Sequence, residues 1–137
     1  MLSTPPAVKT PESEKITINM GFVDLGQVDL LVAEGFYSNR TDFIRTAIRT
    51  HLASHADVLR QAVLRKMLVL GVQRFSAADL EAVRAAGETL EIRVLGLAVI
   101  APDVSPALAS KVIHSLTVLG ALHASPAVKA ALAGRIH

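Results

Sequence analysis

The chain has no cysteine and no tryptophan, and only one tyrosine and four phenylalanines among its 137 residues. Without cysteine, disulfides and thiolate metal sites are excluded, which fits a reducing compartment. With so few aromatics, any core must be built from Val, Leu, Ile and Ala, and the length suits one ordinary domain or two small ones. No apolar run approaches the roughly 18 residues that a membrane span needs. The longest candidate, "VLGLAVIAP", is flanked by Glu91, Arg93 and Asp103. The N-terminus lacks the basic start and continuous apolar stretch of a secretion signal. A soluble, cytoplasmic protein without a membrane partner is expected. Also missing are a Gly-rich phosphate loop, a Ser-His-Asp arrangement in context and a paired-carboxylate pocket, so neither an enzyme nor a cofactor is expected.

The net charge is only +2, so any nucleic-acid footprint must be local. From Arg40 to Lys66 the bases Arg40, Arg45, Arg49, Arg60, Arg65 and Lys66 face only two acids, Asp42 and Asp57. That excess is the pattern to ask about for phosphate binding.

Residues 1–13 contain Pro5, Pro6 and Pro11 among polar residues and read as a flexible arm. The stretch "EKITINM" then alternates strictly: Lys15, Thr17 and Asn19 are polar, Ile16, Ile18 and Met20 apolar. This is a strand pattern, yet a strand so short needs a partner. Helical periodicity follows twice. The first helix is expected around Leu25, Val28, Leu31 and Val32, with Asp24 capping its start and Gly35 ending it. The second carries Phe43, Ile44, Ala47, Ile48 and Leu52, with Ser38 or Asn39 as N-cap and Asp42 completing a capping-box-like arrangement. It either runs on to about Lys66 or bends near Ser54.

From Met67 the character changes. "VLG" recurs at Val69–Gly71, Val94–Gly96 and Val118–Gly120, at a period of about 24 residues. Each copy precedes a serine opening a helical phrase, at Ser76, Ser105 and Ser125, and Pro106 and Pro126 occupy the first helical position that suits proline. Strand, helix, strand in one sheet implies parallel pairing. The glycines repeat with the architecture and read as close-packing positions. The last unit lacks a polar capping repeat, so an uncapped stack of this kind is expected to find another copy of itself.

The order of short alternating strand, helix and "YSNRTDFIRTAIR" helix resembles the CopG-type ribbon-helix-helix DNA-binding proteins over residues of about 14–53. "VDLLV" before Gly35 is similar to that family's first helix. The resemblance implies an obligate homodimer in which the strands of two chains pair antiparallel and the ribbon enters the DNA major groove. Lys15, Thr17 and Asn19 would then contact bases, residue types that suit guanine acceptors, adenine and the thymine methyl. Ser38, Asn39, Arg40 and Arg45 would hold phosphates at the second helix. Ile16, Ile18, Met20, Leu31, Phe43, Ile44 and Ile48 would form the shared core.

The expected fold class is therefore mixed α/β: an intertwined ribbon-helix-helix domain over 14–66, then a small solenoid-like strand–helix repeat domain with a parallel sheet over 67–137. Expected partners are double-stranded DNA and the chain itself, as a homodimer and as a higher oligomer through 67–137. The expected function is a sequence-specific transcriptional regulator, a repressor or autoregulator. The alternatives are the antitoxin of a toxin–antitoxin pair and a DNA-recruited scaffold or partition protein. A ligand-sensing role for the repeat region is disfavoured by its apolar composition. His51 and His55 lie four apart on a helix, but with no third ligand nearby they read as surface histidines, and no metal is expected.

Overall fold

A computed structural model of the chain describes residues 13–137, so residues 1–12 of the expected arm lie outside it. Two compact units emerge, Lys15–Ala62 and Val63–His137.

In the first unit, Lys15–Met20 is neither helix nor strand and has no strand partner among the described residues. Helix α1 spans Phe22–Ala33. Its N-cap is Gly21 rather than Asp24, which falls in the first turn, where a carboxylate complements the helix dipole. Gly35 follows the helix with φ 85°, the left-handed conformation in which glycine ends helices. Helix α2 spans Arg40–Ala53, and α3 spans Ala56–Arg65. The long helical pattern is thus broken at Ser54 and His55. The Ser54 hydroxyl donates to the His51 carbonyl at 2.6 Å, a side-chain bond to the preceding turn that bends helices.

The second unit is a three-stranded parallel sheet in the order β1-β2-β3, with β1 Val69–Phe75, β2 Leu90–Ile100 and β3 Ile113–His123. The connections are α4 Ala77–Ala85 and α5 Pro106–Val112, and α6 Pro126–Ala131 follows β3. All three helix starts are capped by the expected serines. Ser76 forms a reciprocal capping box with Asp79. Ser105 and Ser125 accept from the Leu108 and Val128 N–H groups at 3.1 and 3.2 Å. Alternate strand residues Ile92, Val94, Ala98 and Ile100 form one apolar cluster with Leu80 of α4, Leu108 of α5 and Val128 of α6. The helices therefore cover one face of the sheet. The chain end meets the far side of β3 at one point: Ile136 bridges Leu116, and the His137 N–H donates to the Leu116 carbonyl at 2.8 Å.

The register sets the three "VLG" triplets side by side, Val69–Val94–Val118, Leu70–Leu95–Leu119 and Gly71–Gly96–Gly120. The glycines have φ values of 124°, 138° and 119°, accessible at little cost only without a Cβ. A Cβ on Gly96 would overlap the Gly71 carbonyl oxygen, and one on Gly120 would overlap that of Gly96. Sequence periodicity and steric necessity coincide at this row.

Candidate nucleic-acid interface

The apolar side chains of the first unit are poorly buried. Val28 is its only buried hydrophobic residue among those described. Ile16 is 80% exposed, Ile18 62% and Ile48 54%, while Met20, Leu31, Phe43 and Ile44 are half-buried. Met20, Val28, Leu31 and Phe43 line one hollow together with Asp24 and Gln27. Burial of apolar surface is the main driving force of folding, and this unit has left most of it undone. The shared-core residues named from the sequence are therefore those that a single chain leaves partly or largely exposed.

Lys15, Thr17 and Asn19 are all exposed, on a segment whose backbone makes no hydrogen bond to another segment among the described residues. Their alternation with Ile16, Ile18 and Met20 is the pattern that would put the two sets on opposite sides of a strand, where successive side chains alternate. The polar side carries one cation, one hydroxyl and one amide, with no carboxylate.

The start of α2 is held by two local bonds. The Asn39 side chain accepts from the Asp42 N–H at 2.8 Å, so Asn39 is the N-cap. The Asp42 carboxylate reaches back to the Ser38 N–H at 2.9 Å. The N–H groups of Asn39, Arg40 and Thr41 donate to no partner among the described residues, as the first turn of a helix leaves them. Tyr37 meets Phe43 edge to face, with ring centroids 5.0 Å apart, and so fixes the turn against the helix that it enters.

Arg40 forks onto Asp29 of α1, with Nε and Nη2 at 2.7 and 2.8 Å from the two carboxylate oxygens. The guanidinium hydrogen bond, reinforced by its charge, holds the Asp29 carboxyl below its ordinary range, and the reciprocal bond raises Arg40. Both groups are half exposed, so the pair orients more than it stabilises. It locks the angle between α1 and the start of α2, a contact eleven residues apart that no local spacing signals. Arg45 is exposed and makes no ion pair among the described residues. His51 and His55 stack edge to face at 5.0 Å, and His55 Nδ1 lies 3.0 Å from the His51 carbonyl. Among the described residues no group of three or more His, Cys, Asp or Glu side chains is placed to hold a metal ion. Nor is any helix among them long and apolar enough to cross a membrane.

No curated protein and no solved structure gives a significant match to the chain. A family model does, and it spans both units rather than the strand and two helices alone. Matched from residue 11 to residue 129, the chain belongs to the ribbon-helix-helix transcriptional regulator family.

Proposed function

We propose that the protein is a sequence-specific DNA-binding regulator, a repressor or autoregulator, that works as a dimer through Glu14–Met20. The observation that carries this reading is the half-built core of the first unit. Ile16 and Ile18 stand in water on a segment whose backbone lacks a partner among the described residues, and one antiparallel copy of the same segment supplies both needs. Pairing also gathers Lys15, Thr17 and Asn19 of two chains on one side of a two-stranded ribbon, a shape that the major groove admits. Ser38, Asn39, Arg40 and Arg45 lie at the second helix, where open N–H groups and the helix dipole favour a phosphate. These contacts set register, and the ribbon residues read bases. The Arg40–Asp29 fork gives Arg40 a fixed position from which to meet a phosphate rather than a free arm.

The second unit, with its own packed core, links such dimers to one another. Linked dimers occupy adjacent half-sites cooperatively, because the second binding event becomes local. A packed sheet also weighs against the antitoxin reading, in which the C-terminal part would be a tail that folds on its target.

The test is to map bound genomic DNA, then titrate the recovered site with wild-type protein and with Lys15→Ala/Thr17→Ala/Asn19→Ala. Each lost base contact is expected to cost about 1–3 kcal/mol, with circular dichroism unchanged. Equal affinity of the folded triple variant for its site would refute the ribbon assignment.

A further inference from the structure

The glycine row is incomplete on one side. Gly96 and Gly120 each lie against the carbonyl of the preceding strand's glycine, which is why neither tolerates a side chain. Gly71 has the same backbone, φ 124°, and the same missing side chain, yet among the described residues nothing lies within 4 Å of the place its Cβ would take. Among the described residues its left-handed extended conformation lacks the contact that explains the other two. Its neighbours are open as well: Leu70 is 73% exposed and Val72 56%.

The free edge of β3 offers the missing counterpart. Among the described residues that edge is covered only at Leu116, by Ile136 and His137. Above this point, Val118–His123 lies level with Val69–Arg74 through the shared register with Val94–Val99. The uncovered length of β3 thus matches β1, and Gly120 ends the row in which each glycine presents its carbonyl to the next. Because the Gly71 carbonyl faces β2, the Val72 N–H of the same trans peptide points away from β2, toward the free edge.

We infer that β1 of one chain adds, in parallel, to the free edge of β3 of a second copy, with Gly120 of that copy seated beside Gly71. The contact continues across molecules the interface that already joins β1 to β2 and β2 to β3. It is head-to-tail, so it links dimers into rings or open arrays rather than into a closed pair. The inference rests on the proposed linking of dimers by the second unit and names the surface that does it.

The absence of cysteine makes the test clean. In this register Val72 of one copy stands level with Ala121 of the next, as it does with Leu97 within the chain. Full-length Val72→Cys and Ala121→Cys proteins are purified separately, mixed and oxidised. The expected product is a reducible two-chain band in the mixture, absent from either protein alone. Full-length Val72→Pro, which removes the outward N–H at an edge position that tolerates proline, is expected to sediment as a dimer where wild type sediments as a larger species. A band from Val72→Cys alone, or no band in the mixture while wild type sediments above the dimer, overturns the β1-to-β3 contact and leaves linking to another surface. Wild type sedimenting only as a dimer overturns both.

Discussion

The two units of this chain treat hydrophobic residues in opposite ways. Among the described residues, Lys15–Ala62 buries one apolar side chain, Val28, and leaves Ile16 and Ile18 largely in water. Val63–His137 removes Leu80, Ile92, Val94, Ile113, Leu116 and Leu132 almost completely from solvent. Composition does not account for the contrast, because both stretches are rich in aliphatic residues. What differs is where the second half of each core comes from. In the sheet unit the helices that cover the strands follow them in sequence. In the first unit the proposed cover is a second copy of the chain, because among the described residues nothing buries Ile16 and Ile18.

Three experiments would break or sharpen that contrast. The largest effect is expected from Gly96→Ala. The added methyl meets the Gly71 carbonyl, and the backbone must part in addition to bearing left-handed strain of about 1–3 kcal/mol. Hydrogen exchange should show the sheet unit opened while the first unit stays protected. Gly71→Ala carries the strain without the overlap in one chain and should leave the sheet folded.

The next comparison sets a buried residue against an exposed one. Leu116→Ala should cost about 2–5 kcal/mol, measured by denaturant unfolding of the sheet unit and independent of protein concentration. Ile18→Ala, at a position 62% exposed in one chain, should cost an amount in the same range of about 2–5 kcal/mol. Its effect should appear as weaker dimerisation, with a midpoint that moves with concentration. If Ile18→Ala is silent, the first unit is a finished monomer and the contrast disappears.

The smallest effect concerns the cap of α4. Backbone and hydroxyl hydrogen bonds from Ser76 hold the Asp79 carboxyl below its ordinary value of 3.8. A carboxylate depressed in the folded state stabilises above its unfolded value, and that contribution is lost as pH falls through the lowered one. Acid unfolding of the sheet unit should therefore include a step below pH 3.8 that Ser76→Ala weakens, with a loss near neutral pH of about 1 kcal/mol. The first unit has its own depressed carboxyl, Asp29, so Arg40→Ala should shift acid sensitivity there and leave the sheet unchanged.

Much of this was legible from residue order because it is local. The caps at Ser76, Ser105 and Ser125 and the prolines after two of them depend on neighbours within one turn. Asn39 against Asp42 is equally local. The "VLG" row was visible as a period before its steric reason was known. Other features escaped because their partners are distant. Gly21 took the cap position expected of Asp24. The Arg40–Asp29 fork depends on how two helices cross.

By itself, the sequence determined the alternation of Glu14–Met20, the helix starts, the repeat and the family to which they belong. All of these are set by short-range sterics, hydrogen bonding and periodicity. Only the tertiary structure decided that the three glycines share one row and that, among the described residues, the Gly71 end of the row is open and Ile16 and Ile18 find no cover. Those facts depend on which distant segments come together, and burial and excluded volume exist only once they have.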